Sequence, residues 1–255
     1  MKKLENKVAI VTGAGSGMGR AIALLFASQG AKLIAADINR ARLEALEQEI
    51  KASGGELKIL LADMGKEEDI QNMLQTATDT YGTLDILVNN AGIMDHMQPV
   101  DEVENALWEK VMKINVDGPF KAMRLAIKIF LEKKSGVIIN ICSIGGLKGG
   151  IAGAAYTTSK HALIGLTKNT GYFYARSGIR CNAIAPGAVN TNIGETTDPS
   201  KMTALIRERI IPGYSLIPRT GEPGEVAQVA LFLASDDSSF INAEVIVADA
   251  GWSAY

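Results

Sequence analysis

Cysteine is scarce, with two in 255 residues, and that removes a disulfide framework from consideration. Cys142 and Cys181 each fall in an apolar, strand-like run, over 137–142 and 179–184, and read as small buried core residues. Histidine is as rare: His96 and His161 show no metal-ligand spacing, so no metal site is expected. Nor is there an excess of one charge. Lys and Arg total 26 against 28 Asp and Glu, a net charge of -2, and the run Glu132-Lys133-Lys134 is too short for a basic tract. Nucleic-acid binding needs a concentrated positive face, so no nucleic-acid partner is expected. No segment approaches the roughly 18 apolar residues of a membrane span. Residues 1–6 enter a strand pattern with no separate apolar stretch and cleavage site. The expectation is a cytoplasmic protein with no membrane partner. What remains, 47% hydrophobic and 21% charged, is globular composition, and the length suits a single α/β domain over 1–255.

Short β-branched runs alternate with longer segments of helical period. Strands are expected over 8–11, 32–36, 57–61, 86–88, 137–141, 179–184 and 244–247. Helices are expected over 18–28, 40–51, 67–80, 103–113, 120–133, 156–176 and 225–234. Strands that are apolar throughout, each followed by a helix, predict a parallel sheet covered on both faces. The fold class is therefore α/β, a doubly wound parallel sheet of about seven strands, with ligands outside the strands' carboxyl ends. The one long irregular stretch, 186–223, carries a short helical pattern over 201–210. A long insertion at that end of such a sheet reads as a substrate lid, within about 188–220.

Strand one runs into Thr12-Gly13-Ala14-Gly15-Ser16-Gly17-Met18-Gly19. A tight glycine turn lets backbone approach a pyrophosphate, and the following helix aims its N-terminus at that charge. Met18 stands at the third glycine position of the usual G-x-G-x-x-G, so the pattern here is T-G-x-x-x-G-x-G. Asp37 closes strand two. Its carboxylate can accept hydrogen bonds from both adenosine ribose hydroxyls and would repel a 2′-phosphate. No basic residue stands at Ser16 or Ile38, and Arg40 is the nearby cation, so NAD is expected over NADP. Asp37 as a helix cap is compatible with that role. Asp63, with Met64 beside it, follows strand three and has two readings, an adenine-edge contact or the N-cap of the next helix. Asn89-Asn90-Ala91-Gly92 closes strand four, with Asn89 structural and Asn90, Ala91 and Gly92 next to the cofactor.

Ser143 ends strand five, and Tyr156-Thr-Thr-Ser-Lys160 follows. Residues four apart share a helix face, so a phenol and an ammonium can meet at one site. A free phenol has a pKa of about 10, and a close ammonium lowers it. Together with Asn115, the turn Pro186-Gly187-Ala188-Val189-Asn190-Thr191 and the terminal Asp249-Ala250-Gly251, these motifs span the whole chain. The sequence resembles the short-chain dehydrogenase/reductase family of the compact, single-domain type. The resemblance implies Tyr156 as general acid/base, with Lys160 lowering its pKa and holding the nicotinamide ribose. It implies Ser143 as the hydrogen-bond partner of the substrate oxygen, and Asn115 as holder of a water linking Lys160 to solvent. Pro186, Gly187, Val189 and Thr191 would lie along the nicotinamide. The cofactor would do the hydride chemistry. The family is commonly tetrameric, so a homotetramer is expected. Two departures stand near the last strand: Ile241-Asn242-Ala243 where the family usually has Ile-Thr-Gly, and Ala250 where a second glycine is usual.

The substrate is less legible. Met94, His96, Ile144 to Leu147, Ile151, Ala188, Asn192 and Ile193 are candidate pocket positions, with Met202, Leu205 and Ile206 in the lid. The set is mostly apolar, which suits a neutral small-molecule alcohol or ketone. His96 reads as a solvated loop residue or as a substrate contact. The tail 252–255 has two readings, packed on a neighbouring subunit or on its own. Three functions compete: an NAD-dependent secondary-alcohol, polyol or sugar dehydrogenase, a 3-oxoacyl carrier-protein reductase, and a dinucleotide-binding protein without catalysis.

Overall fold

The computed structural model describes residues 2–254. Expectations touching Met1 and Tyr255 lie outside the described residues at those two positions. Seven strands, β1 (Val8–Thr12), β2 (Lys32–Asp37), β3 (Glu56–Leu61), β4 (Ile86–Asn89), β5 (Gly136–Ile141), β6 (Ile179–Pro186) and β7 (Val245–Ala248), form one sheet in the order β3-β2-β1-β4-β5-β6-β7. Every pairing is parallel. The helices are α1 (Gly17–Ser28), α2 (Arg40–Ala52), α3 (Glu67–Tyr81), α4 (Asn105–Met112), α5 (Gly118–Lys133), α6 (Ala154–Tyr174), α7 (Ala204–Arg209), α8 (Ile211–Tyr214) and α9 (Pro223–Ala234).

Strand side chains alternate between two faces, and helices cover both. Ala9 and Val11 pack with Ile22 and Phe26 of α1, Leu46 of α2 and Ala230 of α9. Val8 and Ile10 pack with Ile70 and Met73 of α3 and Phe130 of α5. That two-sided burial explains the uninterrupted apolar strands. Both cysteines are buried thiols, Cys142 one residue beyond β5 and Cys181 within β6. Burial pushes Cys142 up to about 12 and Cys181 further, so both stay un-ionised and unreactive near neutrality.

The structure departs from the sequence pattern in two places. The helices expected over 103–113 and 120–133 are one continuous run, joined by a π-helical turn, Lys113–Asp117. Pro119 sits in the first turn of α5. It cannot donate to a carbonyl one turn back, and the widened turn absorbs that loss. The single helix expected over 201–210 is instead 3-10 turns at Asn192–Thr196 and Pro199–Lys201, then α7 and α8. The described part of the tail folds on its own chain. Trp252 is 4% exposed and packs with Ile144 and Ala185.

Candidate active site

The sheet order reverses between β1 and β4, and a crevice opens there. Thr12 and Asn90 tie its two sides together. The Thr12 hydroxyl accepts the Asn90 and Ala91 N–H groups, and the Asn90 amide donates to the carbonyls of Thr12 and Gly13. Asn89 instead turns into the core, where its amide donates to Asn140 at 2.8 Å. A Cβ on Gly19 would stand 2.1 Å from the Gly13 carbonyl oxygen, so the loop closes only around a bare Cα. The loop delivers α1 with no side-chain cap at Ser16 and no acidic residue in its first turn. Its free N–H groups suit a pyrophosphate. Gly17, at φ 51°, lies against Thr191 from beyond β6, and Met18 lines the cavity next to it.

Asp37 accepts N–H groups from Gly15 and Asn39, one on each carboxylate oxygen, both at 2.9 Å. Each oxygen keeps a lone pair for a further donor. The cap of α2 is Asn39, not Asp37. The cation near the glycine loop is also different from the one expected. Arg40 faces Glu44, while the Arg42 Cβ and the Asp37 carboxylate both flank Gly15, and the Arg42 guanidinium bonds Glu195 at 3.2 Å. Asp63 does not cap α3, whose N-cap position is Lys66. Its carboxylate holds the Gly65 N–H in a tight turn, and Met64 is buried beside it.

Ser143, Tyr156, Lys160 and Asn115 meet at the carboxyl ends of β4 and β5. The Ser143 and Tyr156 hydroxyls face the same cavity, and Ser143 Oγ accepts the Gly145 N–H at 3.0 Å. Burial pushes the Tyr156 phenol well above its ordinary value. The nearby Ser143 hydroxyl opposes that, and Cys142, Asp95 and Tyr214 add to the rise. Burial likewise pulls the Lys160 ammonium down. A dry site disfavours both charges. The net direction at Tyr156 is thus opposite to that expected from an adjacent ammonium. Lys160 Nζ donates to the Ile141 carbonyl at 3.0 Å and stands 5.4 Å from the phenol ring centroid. Asn115, in the π-helical turn, exchanges both amide bonds with the Ile93 backbone and donates to Ser159. A Cβ on Gly92 would stand 3.2 Å from Asn115 Oδ1 and 3.5 Å from Lys160 Nζ, so a glycine keeps that space clear.

Sequence reasoning missed several residues that build the site. Asp95 is fully buried. Its carboxylate accepts N–H groups from Met97, Gly153 and, at 2.8 Å, Tyr156 itself. Its only signal was one acidic residue inside the run 93–97. Tyr214, Ile217 and Trp252 join Met94, Cys142, Ala152, Ala188 and Ile193 around a cavity of about 200 Å³ that contains Ser143 and Tyr156. Pro186, Gly187, Val189 and Thr191 form another wall of it. Tyr214 donates to the Ile151 carbonyl, and its ring meets Trp252 edge-on at 5.8 Å. The segment after β6 is anchored on both sides of the cleft: Glu195 to Arg42, Thr196 to the Met94 N–H, Asp198 N–H to His96 Nδ1, and Lys201 to Glu104. His96 is therefore an anchor of that segment and not a solvated bystander. Leu147 is exposed and absent from the cavity wall.

The chain is similar to known proteins over nearly its whole length. A family model described as Enoyl-(Acyl carrier protein) reductase matches residues 13–253. 3beta-Hydroxysteroid dehydrogenase 2 of Eggerthella lenta is 43% identical over 254 residues, covering 99% of this chain and 96% of that protein. The 3-oxoacyl-[acyl-carrier-protein] reductase of Thermotoga maritima is 37% identical over 250 residues, with 98% of each covered. The crystal structure of levodione reductase superposes with a TM-score of 0.89 at 36% identity, covering 99% of this chain and all of that one. The chain belongs to the short-chain dehydrogenase/reductase family. It is an oxidoreductase acting on CH–OH groups and their carbonyl counterparts, with a nicotinamide dinucleotide as cofactor.

Proposed function

We propose that the protein is an NAD(H)-dependent oxidoreductase that interconverts a neutral alicyclic secondary alcohol and its ketone, with Tyr156 as general acid/base. The observation that carries this is the convergence of the Tyr156 and Ser143 hydroxyls in a mostly apolar cavity beside the dinucleotide crevice. The hydroxysteroid enzyme and a cyclohexanol dehydrogenase relative, both acting on ring alcohols by name, support the alicyclic class. Bound nicotinamide would supply the hydride acceptor or donor. Ser143 Oγ orients the substrate oxygen and stabilises charge developing on it. In oxidation Tyr156 takes the hydroxyl proton, and in reduction it returns one. Lys160 would hold the nicotinamide ribose and offset the burial of the phenolate. Asn115 Oδ1, facing the space kept by Gly92, would seat the water that joins Lys160 to solvent.

The residues fit the cofactor. Gly13, Ser16, Gly17, Met18 and Gly19 would cradle its pyrophosphate, Asp63 and Met64 its adenine, and Asn90, Ala91 and Gly92 its inner edge. Pro186, Gly187, Val189 and Thr191 would flank the nicotinamide. NAD is favoured because a 2′-phosphate would meet the Asp37 carboxylate while Arg42 is occupied by Glu195. NADH should bind at least tenfold more tightly than NADPH in a fluorescence titration, and the reverse order would overturn the preference. The segment over about 188–220 acts as the lid of a single domain spanning 1–255, in a cytoplasmic homotetramer. Among the described residues no helix is long and apolar enough to cross a membrane.

An NAD(H)-linked absorbance screen over ring alcohols, open-chain alcohols, polyols and sugars tests the reading. Turnover confined to ring alcohols is expected. The Thermotoga relative favours a second reading, reduction of 3-oxoacyl thioesters, and a 3-oxoacyl thioester in the same screen decides between them.

A further inference from the structure

The helix that carries Tyr156 does not cap itself. The N-cap position of α6 is Gly153, with no side chain to offer, and the first turn holds no acidic residue. The N–H groups of a first turn have no intrahelical acceptor. Here they are met from the loop after β4. The Gln98 carbonyl accepts the Ala154 N–H at 2.9 Å. The Asp95 carboxylate accepts the Gly153 N–H on Oδ1 at 3.2 Å and the Tyr156 N–H on Oδ2 at 2.8 Å. We propose that Asp95 is a positioning residue for the reaction: by holding the backbone of Tyr156 it sets where the phenol hydroxyl stands relative to Ser143 and the substrate oxygen. The inference rests on the alcohol–ketone reading above and adds a residue that does not line the cavity.

Three observations carry it. The first is burial. Asp95 is fully buried, and a carboxylate persists there only with its oxygens satisfied. Besides Gly153 and Tyr156, the Met97 N–H closes back on Oδ1 at 2.9 Å, so the carboxylate is itself fixed. It also meets the positive end of the α6 dipole. The second is closeness. A Cβ on Gly153 would stand 2.6 Å from Asp95 Oδ2, the Gln98 nitrogen and the Met97 carbonyl carbon, so the loop reaches the helix start only past a glycine. Met97 has a φ of 61°, a conformation unfavourable to an L side chain, and the contacts of the loop hold it there. The third is address. The bonded N–H belongs to Tyr156 itself, so a displaced cap moves the acid and not only the helix. Ser143 is fixed separately, at the end of β5, by the Gly145 N–H. The two hydroxyls thus come from two elements, and Asp95 sets the offset between them.

Two variants test this by different routes. Asp95→Asn removes the charge and sets an amide NH2 against a backbone N–H. Gly153→Ala keeps the charge and pushes the loop off the helix start. Melting temperature and NADH titration establish that each folds. The readout is NADH-linked reduction of cyclohexanone near neutral pH. Burial keeps Tyr156 in its phenol form there, so loss of the Asp95 charge leaves the acid form populated and the rate reports placement. Each variant should lower kcat at least about tenfold, with KM and NADH affinity within about twofold, as a loss confined to the reacting geometry requires. The solvent deuterium isotope effect on kcat should rise, because proton transfer from Tyr156 becomes the slower step. A kcat within about twofold of the unaltered protein in both variants overturns the proposal. So does a fall in kcat with the isotope effect unmoved, or failure of both variants to fold, which makes Asp95 a residue of the fold alone. Absence of NADH-linked turnover with every ring ketone in the unaltered protein overturns the functional reading itself, and the proposal with it.

Discussion

Tyr156 and Lys160 share a helix face, yet only the tyrosine lines the substrate cavity. The lysine ammonium turns to the Ile141 carbonyl. Tyr156→Phe should lower turnover by about 10²–10⁴-fold, the usual weight of general acid/base catalysis, with NADH affinity unchanged by titration. Because burial holds the phenol above its ordinary value, the base form is scarce at neutral pH. Oxidation measured as kcat/KM should therefore climb as pH rises through the alkaline range. Asp95 gives that profile a second handle. Its negative charge adds to the upward push on the phenol, so Asp95→Asn should move the alkaline limb to lower pH. A residue that served only to hold the Gly153 and Tyr156 N–H groups would change the amplitude and leave the limb in place. Tyr156 was legible because its partner lies four residues away. Asp95 was not, because it meets the Tyr156 N–H across 61 residues of sequence, and Arg42 was not, because its partner Glu195 lies 153 residues on.

At the scale of elements, periodicity placed every strand, since an apolar run buried on both faces leaves a clear trace. It could not show that α4 and α5 are one helical run, because Gly118-Pro119 looks like a break and the π-helical turn that bridges it has no sequence period of its own. The two departures from the family pattern acquire a physical meaning here. Ala243 and Ala250 have φ of 60° and 56°, left-handed conformations that cost an L-residue about 1–2 kcal/mol. Backbone geometry has kept the glycine shape where the glycine is gone. Ala250→Gly should therefore stabilise the protein by about 1 kcal/mol, a rise of about 2–4 °C in Tm by calorimetry for a chain of this size. Ala243→Gly should gain less, since the Ala243 Cβ already packs beside Gly171, and Asn242 ties the same corner by donating to the Gly171 carbonyl.

For the whole molecule, the alternation of strands and helices was enough to anticipate one doubly wound parallel sheet. The tail was not readable, because whether Trp252 turns inward depends on Gly213 and Tyr214, which sit in an irregular stretch without periodicity. The surface carries its own evidence on assembly. Tyr172 and Phe173 at the end of α6 are 79% and 68% exposed, and Phe240, close to the Asn242–Gly171 bond, is fully exposed. Aromatic rings grouped this way on an enzyme surface fit a contact between copies of the chain. Sedimentation velocity checks the proposed homotetramer: the double substitution Phe173→Asp with Phe240→Asp should shift it to smaller species.

The four anchors of the 192–201 segment, to Arg42 on one bank and to Met94, His96 and Glu104 on the other, also bear on timing. In the lid role proposed for this segment, a bridge fastened at both ends would not admit a long dinucleotide and a substrate independently. One must be seated before the span closes, and it can leave only after the span lifts. Under that proposal the anchors would set a sequence of arrivals and departures, and with it a clock: with fast chemistry in the dry cavity, the pace of the enzyme would become the pace at which exposed hydrogen bonds and ion pairs let go.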